Sequence, residues 1–168
     1  AFVIQWALIL RGWVEETRNP SFNGTLSISL DNLVRADFTA IAVLVTFGAL
    51  IGKTTLTQLV IVAIIEVVVQ VFNEFINIHL IQTYDVGRSV YVHLFGGLFG
   101  LAASKFLHCS GVRSSKQAPV YHSDLFALIG TLFLWVYYPS FNSILSTGGE
   151  DYQVRAVINT VAAIAASV

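Results

Sequence analysis

Hydrophobic residues along this chain come in long runs broken by short polar connections. Each run approaches the roughly 20 residues that a helix needs to cross a bilayer. Ala1 to about Trp13 reads as the tail of one such segment. Residues 32–51, 57–81, 89–107 and 125–145 read as four whole spans, and 154–168 opens a sixth. No run shows a polar face wide enough to meet water. The pattern therefore predicts an all-α fold, a polytopic transmembrane helical bundle. Residues 1–168 are expected to form a single transmembrane domain with partial spans at both ends. The sequence starts and stops inside apolar runs and contains no methionine, so both ends are expected to cut through helices of a longer protein.

Polar residues inside these runs carry the chemistry. His93 stands within Val90-Tyr91-Val92-His93-Leu94-Phe95-Gly96-Gly97-Leu98-Phe99-Gly100-Leu101. An ionisable group in such a stretch loses its hydration and needs a partner or a wet path, so it marks function by default. At helical spacing, Gly96, Gly97 and Gly100 share its face. Either another helix packs tightly there or a narrow lumen runs past. The alternative is a satisfied core histidine. Glu66 lies mid-span, with a structural bond to a polar neighbour as its ordinary reading, and Glu74 follows in Asn73-Glu74-Phe75. Asp37, Asp85 and Asp124 each stand near a span end, where a carboxylate can cap a helix or meet the positive end of its dipole. Phe38 and Phe141 taken alone are packing residues or interfacial anchors.

Composition narrows the class. The chain is 55% hydrophobic and 11% charged, with a net charge of −1, so it lacks the basic stripe that nucleic acid requires. Its one cysteine excludes an intrachain disulfide and a cysteine zinc site. No Ser/His/Asp grouping, HExxH motif or paired membrane aspartates point to catalysis, and no cofactor or metal is called for.

Charge alone leaves orientation open. With the Gly52 to Leu56 connection placed in the cytoplasm, Lys53, Lys105, Arg113 and Lys116 fall inside, and Arg11, Arg18, Arg35, Arg88 and Arg155 outside. This choice puts every lysine inside. It also puts Asn23-Gly24-Thr25, a candidate glycosylation site at Asn23, outside, where it could be used.

Several stretches resemble the Rh glycoproteins of the ammonium transporter family: Asn32-Leu33-Val34-Arg35-Ala36-Asp37-Phe38, Phe47-Gly48-Ala49-Leu50-Ile51-Gly52-Lys53, Asn73-Glu74-Phe75, and the His93 to Leu101 run. The longest match runs from Tyr121-His122-Ser123-Asp124-Leu125 through Trp135 to Tyr138-Pro139-Ser140-Phe141-Asn142-Ser143. The resemblance covers essentially the whole chain. It implies an ammonium-transporter-like fold, present in part, comprising roughly the second to seventh spans.

It also implies roles. His93 matches the first of two histidines lining a hydrophobic pore, with its partner on a later span. Phe38 and Phe141 match stacked phenylalanines closing the outer mouth. Asp85 matches a structural aspartate near the outer recruitment site, Glu74 an acid of the outer vestibule, and Asp124 an acid on the inner side. Arg88 departs from the small or neutral residues usual there, and Tyr91 is larger than usual. The implied function is channel-like passage of ammonia or ammonium, with methylammonium as a related substrate. The implied setting is a multi-pass protein of the plasma membrane, in lipid, as a homotrimer or a trimer with related subunits. Two alternatives remain: a non-conducting Rh-like subunit that anchors partner proteins, and a carbon dioxide channel. Retention of His93 with both phenylalanines separates the chain from non-transporting relatives, which have lost the histidine.

Overall fold

In the computed structural model, which describes residues 1–17, 25, 28–107 and 118–167, every regular element is helical. The helices are α1 (Phe2–Glu16), α2 (Leu30–Leu50), α3 (Leu56–Ile76), α4 (Phe95–Phe106), α5 (Tyr121–Ser143) and α6 (Glu150–Ala166). Two π-helical segments extend them: Asn77–Ile81 continues α3, and Ser89–Leu94 leads into α4. Leu30–Leu50, Leu56–Ile81 and Tyr121–Ser143 are long and apolar enough to cross a bilayer. The chain is an integral membrane protein, and its all-α architecture is the one the hydrophobic runs predict.

Local signals fix the boundaries. Ser29 caps α2 by accepting from the Asn32 amide at 3.1 Å, and Asp31 adds a carboxylate to the first turn. Gly52, at φ +76°, ends that helix in the left-handed region that only glycine adopts freely. Three residues later Thr55 and Gln58 form a reciprocal capping box that starts α3. The polar residues Tyr121, His122 and Ser123 wind into the first turn of α5, which therefore starts four residues before the hydropathic span at 125. Glu150 and Asp151 likewise form the first turn of α6 ahead of the apolar run at 154.

The contacts divide into two compact units. The first contains α1 to α4, and the second contains the turn at Asp85–Arg88 with α5 and α6. The core of the first unit is built from Ala7, Ala36, Val43, Ala63, Val67 and Val71. Small residues at these positions let helix backbones approach closely, which is how helices associate when lipid removes the hydrophobic drive. In the second unit, Asn142 of α5 donates to Thr160 of α6 at 2.9 Å. The rest of α5 from Tyr121 to Tyr137 is exposed on all sides.

Candidate functional site

His93 lies in the π-helical turn Ser89–Leu94 and is half-buried. A π turn fits one more residue into each hydrogen-bonded loop than an α turn, and such turns recur at functional positions. The glycines behind it divide. A Cβ on Gly96 would stand 2.7 Å from the Ala42 carbonyl oxygen of α2, and one on Gly100 3.0 Å from Ala49 Cβ. A Cβ on Gly97 would meet nothing within 4 Å among the described residues. The tight-packing reading holds at Gly96 and Gly100, which seat α4 against α2, whereas Gly97 meets no described neighbour. Beside them a groove of about 340 Å³ runs along Val90, Leu94, Phe95, Leu98 and Phe99, with Asn73 at its edge.

Side chains from α2 and α3 grip the backbone on either side of His93. Before it, the Gln70 amide donates to the Tyr91 carbonyl at 3.3 Å. After it, Thr46 Oγ1 lies 2.9 Å from the Gly96 carbonyl and 2.6 Å from Glu66 Oε1. Glu66 is fully buried, and its Oε2 has no hydrogen-bond partner among the described residues. The ordinary reading of Glu66, a structural bond to a polar neighbour, is the one the packing realises.

Gln70 belongs to a second buried cluster. The Arg11 guanidinium donates to Thr39 Oγ1 at 2.8 Å and to Gln70 Oε1 at 3.2 Å, and forms an ion pair with Glu74. Thr39 donates to Gln70 Oε1 at 3.1 Å, and Gln70 to Glu74 Oε2 at 3.2 Å. Arg35, bound to Asp31 at 2.6 Å, approaches the other Glu74 oxygen at 4.0 Å. One network thus joins α1, α2, α3 and the π turn of His93.

Glu74, which the resemblance matches to an acid of the outer vestibule, is 2% exposed and held between two arginines. A cavity of about 30 Å³ beside it has room for little more than one water. Its carboxylate is paired with Arg11. Arg11, Thr39, Gln70 and Thr46 were not singled out by the sequence pattern. The available signal was Arg11 itself, a charge inside the apolar run Ala1 to Trp13 that had to be partnered.

The remaining candidates fall in both units. Phe38 is fully buried in α2, next to Thr39 of the network. Asp37 lies well inside α2, so it is neither cap nor first-turn residue; Ser29 and Asp31 take those roles. In the second unit, Asp124 is exposed in the first turn of α5. Phe141 is half-buried near the end of α5, two residues after the buried Pro139. Asp85 is half-buried, and its carbonyl accepts from the Arg88 amide at 3.2 Å. Arg88 has φ +53° and is 4% exposed, so its charge is not displayed at the surface. Gly87 leaves room for α5, since a Cβ there would come 2.7 Å from Asn142 Nδ2. Asn23, Arg18, Arg113 and Lys116 lie outside the described residues.

A model of the Ammonium Transporter Family matches residues 18–168. Ammonium transporter Rh type C of Canis lupus familiaris is 46% identical over 170 residues, covering 100% of this chain and 36% of that protein. Ammonium transporter Rh type C of Bos taurus is 46% identical over 171 residues, with the same coverage. Ammonium transporter Rh type B of Homo sapiens is 44% identical over 170 residues, covering 99% of this chain and 36% of that protein. The chain thus spans about a third of the length of these curated relatives.

Proposed function

Since this chain belongs to the ammonium transporter family, we propose that the protein containing it carries ammonia or ammonium across a membrane along a hydrophobic path beside His93. The observation that carries this reading is similarity over the chain's full length to proteins named ammonium transporters. The physical setting of His93 supports it. A titratable ring in an apolar helix is expensive unless it serves a path, and its backbone is fixed on both sides by buried side chains.

In the mechanism, ammonium loses its hydration and gives its proton to water or to the histidine pair before or while crossing the lumen, because a bare cation there is costly. His93 and a second histidine on a later span share a hydrogen bond between ring nitrogens and offer contacts to ammonia or to a proton in transit. Phe38 and Phe141 act as apolar gates against water and hydrated sodium or potassium. Asp85 orders the outer mouth near Arg88, and Asp124 serves the inner side. Glu74 contributes by positioning rather than by recruiting cations, since Arg11 neutralises it. On this reading the protein works in the plasma membrane as a homotrimer or hetero-trimer, with Asn23 as its candidate glycosylation site.

Replacing His93 with Leu in the whole protein tests the reading. Methylammonium uptake should fall strongly or change its dependence on pH while surface expression holds. Unaltered uptake would remove His93 from the path, whereas no uptake by the wild-type protein would favour a non-conducting structural subunit. Carbon dioxide passage is separated by measuring it in the same variant, where it should not follow methylammonium.

A further inference from the structure

The geometry points to Glu66 as a neutral carboxylic acid that positions the His93 helix through Thr46. The argument is a count of protons. The Thr46 hydroxyl carries one, yet two oxygens lie within bonding distance: Glu66 Oε1 at 2.6 Å and the Gly96 carbonyl at 2.9 Å. If Thr46 gives its proton to an ionised Glu66, its oxygen faces the Gly96 carbonyl across 2.9 Å with no hydrogen between two acceptors. If Glu66 itself bears a proton on Oε1, the chain closes. Glu66 donates to Thr46 Oγ1, and Thr46 donates to Gly96.

The other oxygen agrees. Glu66 Oε2 is buried and has no hydrogen-bond partner among the described residues. An unpaired carbonyl oxygen of a neutral acid costs far less in such a place than half of a carboxylate. The charged groups on neighbouring elements do not offset a negative charge there. Arg11 of α1, Arg35 and Asp31 of α2 and Glu74 of α3 bind one another, and among the described residues Glu66 takes part in no ion pair.

The consequence reaches His93 through the backbone. Gly96 is three residues further on, where α4 lies so close to α2 that no Cβ fits. A donor directed at its carbonyl fixes the helix at that point, as Gln70 does at Tyr91. Glu66 touches no transported species and is a positioning residue. This inference goes beyond the transport reading and does not depend on what is transported.

Infrared spectroscopy of the whole protein in lipid, compared with Glu66→Gln, reads the proton directly. The wild type should show at neutral pH a carbonyl stretch of a protonated acid, shifted in D2O and absent from the variant. Lack of that difference would mean that Glu66 is ionised and overturns the inference. Glu66→Gln, whose amide can still donate to Thr46, should keep both its thermal midpoint and its methylammonium uptake. Glu66→Leu and Thr46→Val should lose part of both. Failure of Glu66→Gln to fold or transport, or full retention of both by Glu66→Leu, also overturns it.

Discussion

Arg11 and Glu74 show why a buried charge is informative only with its partner. Each is nearly sealed from solvent, and together with Thr39 and Gln70 they satisfy one another. Breaking such a pair from one side leaves a charge without compensation, at a cost of about 3–5 kcal/mol, whereas replacing both partners with apolar groups is often nearly neutral. Arg11→Leu should therefore lower the thermal midpoint and yield of the whole protein sharply. Arg11→Leu combined with Glu74→Leu should recover much of the loss. Thermal unfolding of the single and double variants in detergent checks this, and equal losses in single and double would deny the pairing. The sequence made both charges visible but not their pairing. Sixty-three positions separate them, and hydropathy assigns each only to a run. Counting Arg11 among outer charges missed its burial. Glu66 was more legible, because an acid in mid-span has few affordable states, and a bond to a polar neighbour is one of them.

At the scale of elements, hydrophobic periodicity located the helices well and their internal irregularity poorly. Runs at 32–51 and 57–81 correspond closely to Leu30–Leu50 and Leu56–Ile81, since burial in lipid demands the same continuous apolar length that the eye reads. The π turns at Asn77–Ile81 and Ser89–Leu94 leave no such mark, because they arise from backbone hydrogen bonding and tertiary grip rather than from composition. Their effect is local but falls on His93, whose relation to the following glycines differs from that in an uninterrupted α-helix. Sequence spacing grouped Gly96, Gly97 and Gly100 together, and the packing separates them. Gly96→Ala should push α4 away from the Ala42 carbonyl, which is backbone and cannot yield, at about 1–3 kcal/mol. Gly97→Ala meets no described neighbour and should be stable. Parallel thermal unfolding of the two variants measures the contrast, and equal tolerance would contradict the close seat of α4 on α2.

At the scale of the molecule, orientation is the property for which residue counts gave no decision, yet the fold makes it testable from the first unit alone. Thr46 of α2 meets Glu66 of α3 and Thr39 meets Gln70, so both helices leave the Gly52 turn in the same direction, side by side and antiparallel in chain sense. With α2 at 21 residues, its two ends stand about 31 Å apart, the thickness of a hydrocarbon core. Ser29 and Gln82 therefore share one side of the membrane, and Thr54 lies on the other. If every lysine is inside, Thr54 is cytoplasmic and the Asn23 sequon is outside. With the single Cys109 replaced by Ala in the whole protein, Gln82→Cys should react with an impermeant thiol reagent on intact cells. Thr54→Cys should react only after the cells are opened. Asn23→Gln should remove a glycosidase-sensitive shift in mobility. Reaction of Thr54→Cys on intact cells would invert the topology, because the 26-residue helical stretch Leu56–Ile81 between Thr54 and Gln82 is long enough to span the bilayer.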